Sequence, residues 1–165
     1  MSTRAREADA QEYPLWIKDA VAGCVATAPM TLFMLLTQRF LPHGQRYDLP
    51  PEIIIQDLAR RAHLHWRLSK RQILLATLVS HFGYGTAMGL FYRPVERYMP
   101  GPSLAKGGGF GLLVWAASYL GLLPALGLVE SAYREPGRRN LMMIAAHLVW
   151  GSATGLLASL FANRR

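Results

Sequence analysis

His81-Phe82-Gly83-Tyr84-Gly85-Thr86-Ala87-Met88-Gly89-Leu90 returns 66 residues later as His147-Leu148-Val149-Trp150-Gly151-Ser152-Ala153-Thr154-Gly155-Leu156. Histidine, an aromatic ring, glycine, a small hydroxyl, alanine, glycine and leucine keep their offsets in both copies. Each copy lies in a run free of Asp, Glu, Lys and Arg: Gln72 to Tyr92, and Asn140 to Asn163. Two more runs, Ala20 to Gln38 and Gly107 to Val129, share that property, and in chain order the four hold 19, 21, 23 and 24 residues. A helix rises ~1.5 Å per residue, so about 20 residues match the ~30 Å hydrocarbon core of a bilayer. Four uncharged segments of this length do not suit the core of a soluble domain. The expectation is an all-α integral membrane four-helix bundle, formed by residues 1–165 as a single transmembrane domain.

Working outward, the spans are expected at about 16–40, 70–92, 107–129 and 140–162. Residues 1–12 are polar and lack apolar periodicity, so disorder is expected there. Trp16 and Tyr92 sit at span ends, where aromatic side chains anchor helices at the membrane interface. Pro29 removes one intrahelical hydrogen bond from the first span and predicts a bend. Pro50-Pro51-Glu52 opens a further helix at about 51–68, with Ile54, Ile55, Leu58, Ala62 and Trp66 on one side and Gln56, Arg60, His63 and Arg67 on the other. That pattern fits an amphipathic helix lying in the interface, with Trp66 as a third anchor, or one capping the end of the bundle. Ser69 and Gln72 have the spacing of a capping box, which starts the second span near Lys70. The repeat makes the fold a duplicated helical hairpin with one interfacial amphipathic helix inserted. Spans one and three share Lys18 with Gly23 and Lys106 with Gly111 at equal spacing.

The basic excess, 18 Lys and Arg against 10 Asp and Glu, falls in the connections between apolar runs. There it meets lipid head groups and sets topology. No basic stripe carries stacking aromatics, so nucleic acid is not an expected partner. The connections after spans one and three hold 10 Lys and Arg and the remainder 8, too even a split to fix orientation. A single cysteine, Cys24, excludes an intramolecular disulfide and any cysteine-based metal cluster.

His81 and His147 are the candidate functional pair. Each has glycine at i+4 and i+8, namely Gly85 and Gly89 or Gly151 and Gly155. One helix face therefore carries an imidazole above a smooth groove. With Gly23, these glycines are the expected helix-packing residues. Three readings stay open. In the favoured one the histidines organise packing, each hydrogen-bonding a hydroxyl or carbonyl across the interface, with Thr27, Ser118 and Tyr119 as candidate partners, because an unpaired imidazole in lipid costs roughly a few kcal/mol. In the second they serve a proton or small-solute path, since ionisable groups inside membranes are functional candidates by default. In the third they are the axial ligands of a b-type haem. No cofactor is otherwise expected, and no metal, because His63 and His65 point to different helix faces. No serine, cysteine or carboxylate is placed to build a catalytic triad or an acid–base pair, so the reading leans away from an enzyme.

These residues resemble a family of small bacterial inner-membrane proteins known only as a domain of unknown function, and more distantly the YagU-type proteins. The likeness rests on Ala22-Gly23 with Ala26-Thr27, Asp48-Leu49-Pro50, His81-Phe82 with Gly85 and Gly89, Lys106-Gly107 with Phe110-Gly111 and Trp115, and His147-Leu148 with Gly151 and Gly155. It covers about Lys18 to Leu157. It implies a four-helix fold in the bacterial inner membrane; the chain's own pattern adds the lipid bilayer and further copies of the chain as expected partners. It brings no known activity, cofactor or catalytic residue.

Overall fold

The computed structural model describes residues 13–46 and 48–163, so the expected disorder of residues 1–12 lies outside the described residues. Helix α1 (Leu15–Thr37) continues through a 3-10 turn to Phe40, and a second 3-10 turn occupies His43–Gln45. The others are α2 (Pro50–Arg61), α3 (Lys70–Leu90), α4 (Tyr92–Glu96), α5 (Ser103–Ala116), α6 (Leu123–Ala125) and α7 (Gly137–Asn163). A π-helical turn, Ala117–Leu122, joins α5 to α6 without a break. No strand occurs among the described residues.

Four segments are long and apolar enough to cross a membrane: Leu15–Phe40, Lys70–Leu90, Ser103–Ala125 and Gly137–Asn163. The third starts and ends four residues earlier than its uncharged run. At its end, Gly127 takes φ +63°, Leu128 N–H bonds Leu123 C=O and Gly127 N–H bonds Pro124 C=O, both at 3.0 Å. That is a Schellman stop, which glycine provides without steric cost.

The amphipathic helix is shorter than its periodicity suggests. His63 takes φ +53°, His63 N–H bonds Arg60 C=O at 3.0 Å and Leu64 N–H bonds Ala59 C=O at 2.8 Å. The same motif therefore ends α2 at Arg61, and Trp66 lies in the turn beyond it. Pro50 and Pro51 open α2, and the Ser69–Gln72 capping box opens α3 as expected. α1 runs unbroken through Pro29.

Helix α1 lies between α3 and α7, α7 also packs on α5, and α2 rests on α3. Glycines set two close approaches. A Cβ on Gly23 would overlap the Gly85 carbonyl and lie 2.8 Å from Gly89 Cα; a Cβ on Gly107 would overlap the Gly151 carbonyl and lie 3.0 Å from Gly155 Cα. The two contacts correspond residue for residue, matching Gly23 with Gly107. The spacing from Lys18 and Lys106 matched Gly23 with Gly111, one helical turn too far.

Polar ties close the two ends. Arg93 donates to both oxygens of the fully buried Asp19, at 2.8 and 3.0 Å, and to Glu96 at 3.1 Å. These hydrogen bonds, Asp19 foremost, hold the Arg93 guanidinium above its ordinary range, so it stays charged. At the opposite end buried Arg139 donates to Asp48 C=O at 2.7 Å, and Arg61 donates to the Leu126 and Gly127 carbonyls at 3.1 and 2.6 Å. Tyr92 is not an interfacial anchor. It is fully buried against Phe110, ring centroids 5.4 Å apart, because α4 turns it inward beneath the Asp19–Arg93 pair. Burial, and then the neighbouring Glu96 carboxylate, push its phenol well above the ordinary range.

Candidate functional site

His81 and His147 line one chamber of about 250 Å³. They lie eleven residues into α3 and ten into α7, about 15–17 Å from the helix starts. Met30 and Met34 of α1, Met143 and Trp150 of α7, Val114 of α5 and Leu122 of the π-helical turn supply the apolar walls. Thr27, Ser80, Tyr84, Ser118 and Tyr119 add hydroxyls. Pro51 and Ile54 place α2 over one end, a contribution that its surface-helix periodicity concealed.

The expected hydrogen bonds from hydroxyl to imidazole are not made. Thr27 donates to Gly23 C=O at 2.9 Å and Ser118 to Val114 C=O at 2.7 Å. Tyr119 meets His147 edge to face, centroids 5.7 Å apart. His147 Nδ1 sits 2.8 Å from Met143 C=O. A carbonyl can only accept, so Nδ1 carries the proton and Nε2 presents a lone pair. His81 Nε2 is buried with no hydrogen-bond partner. The chamber therefore has one imidazole lone pair, on His147 Nε2, while His81 lines it with an Nε2 that is walled in by protein and unsatisfied.

Pro124 follows the π-helical turn and leaves one of its carbonyls without a partner in the helix. Leu123 N–H reaches back five residues to Ser118 C=O. The next donor in that register, to Tyr119 C=O, would be residue 124, and proline has no N–H. Ala132 N–H, from the following loop, takes its place at 3.1 Å. The turn carries Ser118 and Tyr119 into the chamber wall. Bulges of this kind are frequent at functional sites.

The repeated aromatic positions do different things. Trp150 N–H bonds Gly23 C=O at 3.0 Å and closes α7 onto α1, whereas the Tyr84 hydroxyl meets Ser118 Oγ at 2.8 Å and bridges α3 to the π-helical turn. Gly85 and Gly89 face α1, and Gly151 and Gly155 face α5. Trp16 and Trp66 are exposed, 60% and 63%, and His65 packs edge-on against Trp66 with centroids 4.5 Å apart. No cluster of three metal-ligating side chains occurs among the described residues.

A family model described as a protein of unknown function, DUF1440, matches residues 35–155. The chain belongs to the DUF1440 family. The matched stretch holds both histidines, α2, the π-helical turn and Trp150, while Gly23 and Thr27 precede it. No curated protein and no solved structure matches the chain. The likeness to YagU-type proteins stays a reading of the sequence alone.

Proposed function

We propose that this DUF1440 protein is a multi-pass protein of the bacterial inner membrane whose four-helix bundle, descended from a duplicated hairpin, encloses a chamber for a small solute or proton. The observation that carries this reading is His81: its Nε2 is buried beside the chamber with no protein partner. A histidine kept for packing would have satisfied that nitrogen, since an unsatisfied buried polar group costs about 1–3 kcal/mol. Gln45, Thr77, Tyr92 and Trp115 also bury a side-chain polar atom with no partner, but of these five His81 alone lines the chamber, where a solute accounts for its cost. A volume of about 250 Å³ falls below the ~300–1,000 Å³ of ordinary ligand pockets, which disfavours a porphyrin between the histidines.

The test replaces both histidines with asparagine in protein reconstituted into liposomes, and measures proton and solute flux beside thermal unfolding. The reading expects flux to fall while the unfolding temperature holds. Unchanged flux with a sharp loss of stability returns the pair to a packing role. An unaltered visible spectrum on addition of haem is also expected, and a Soret band that vanishes in the double variant would restore haem ligation.

A further inference from the structure

The chamber is closed on two sides and at both ends, and its one loose seam faces outward. On α1 and α7 the lining residues Thr27, Met30, Met34, Met143, His147 and Trp150 are all buried. α2 covers one end with Pro51 and Ile54, and at the other Trp150 is fixed to Gly23. On α3 the lining behaves differently: Ser80 is exposed, and Tyr84 keeps 38% of its surface exposed. α3 and α5 make no extended backbone contact, unlike α3 with α1 and α5 with α7. Among the described residues one hydrogen bond spans the seam, between the Tyr84 hydroxyl and Ser118 Oγ at 2.8 Å. Ser118 spends its own hydrogen on Val114 C=O, so Tyr84 is the donor. Around the seam the outer surface is apolar, with Leu75, Leu78, Val79 and Leu122 exposed. At this depth such a surface meets acyl chains, not water.

We propose that the chamber is filled sideways from the lipid, through the seam between α3 and the π-helical turn, by a small neutral lipophile carrying one O–H donor, of the size of a single-ring phenol. The proposal rests on the reading of the chamber as a solute site. The route sets the class, because a charged solute is strongly disfavoured in hydrocarbon whereas a neutral lipophile concentrates there. The mostly apolar walls suit an apolar body. His147 sets the polar end: its Nε2 is an acceptor by its tautomer, so the molecule brings a hydrogen to give, and His81 lines the same chamber. The Tyr84–Ser118 bond is the latch that holds the seam.

The experiment uses the full chain with Cys24→Ala in lipid nanodiscs, following tryptophan fluorescence with 4-chlorophenol as probe and 4-chloroanisole, which lacks the hydroxyl, as comparison. Trp150 lines the chamber, and Trp150→Phe shows which signal is its own. The expected result is saturable quenching by 4-chlorophenol only, weakened about tenfold or more by His147→Gln or His81→Gln, the worth of about one hydrogen bond. Circular dichroism shows which of these two variants keeps its fold. Tyr84→Phe speeds uptake. Tyr84→Cys with Ser118→Cys, bridged by a short thiol cross-linker, slows uptake severalfold until a reductant releases it. If bridging leaves the rate unchanged while histidine dependence persists, the lateral route is wrong and the chamber reading stands. Equal binding of 4-chloroanisole overturns the donor class, and no binding of either probe overturns the proposal together with the reading beneath it.

Discussion

Gly23 leaves no room for a side chain, because an added Cβ would overlap the Gly85 carbonyl. Gly151 is as crowded, its Cβ lying 2.6 Å from Gly111 N and 2.7 Å from Gly111 Cα. Gly23→Ala and Gly151→Ala must therefore push two backbones apart, at a cost of about 1–3 kcal/mol. At Gly83 an added Cβ meets nothing within 4 Å, so Gly83→Ala leaves stability unchanged or slightly raised. Thermal unfolding in detergent checks all three, and equal effects at Gly23 and Gly83 would remove the close-approach argument. Asp19 makes a second case. It is fully buried and doubly bonded to Arg93, whose side chain keeps a third of its surface exposed. Asp19→Asn should cost roughly 2–4 kcal/mol, at or below the ~3–5 kcal/mol of a fully enclosed pair broken on one side. Arg93 stays charged throughout the neutral range, so that cost does not vary there through the guanidinium. At this scale the glycines were legible because their spacing repeats. Asp19 and Tyr92 were not, since one looked like the last charge before a span and the other like an interfacial ring. Their roles come from α4, a five-residue helix whose inward turn has no periodic signal.

Among the elements, the loop after the π-helical turn is tied to Tyr119 C=O where Pro124 lacks a hydrogen. Pro124→Ala supplies an N–H that can bond Tyr119 C=O from within the helix, and Ala132 N–H must then share its acceptor. Hydrogen exchange across residues 126–136 should then quicken while helix content by circular dichroism stays the same; unchanged protection would mean that the missing hydrogen does not hold the loop. The uncharged runs showed where the apolar helices lie, because lipid imposes a length and forbids charge. They could not show a change of hydrogen-bond register inside the third segment, which depends on how Pro124, Tyr119 and a distant loop meet. The extent of α2 was misread for a similar reason: amphipathic periodicity continues to Trp66, but His63 in the left-handed conformation stops the helix at Arg61.

For the whole molecule, four apolar segments with Leu32, Leu74, Val79, Leu141 and Leu160 exposed make an outer surface that water would not tolerate in a monomer. The protein should stay with membranes through an alkaline carbonate wash, and release as a folded monomer would contradict the membrane reading. Orientation stayed illegible because basic residues are shared nearly evenly between the two sides. The chamber was half legible: repeated offsets put two histidines at one depth, yet only the fold shows them lining the same cavity without hydroxyl partners. That pairing makes thermal unfolding of His81→Leu the most direct test. If His81 is kept for a solute, removing its unsatisfied nitrogen leaves the protein as stable or more so, by up to about 1–3 kcal/mol, or roughly 2–4 °C per kcal/mol at this chain length. A fall of several degrees would show that the imidazole holds the helices together and would contradict the account.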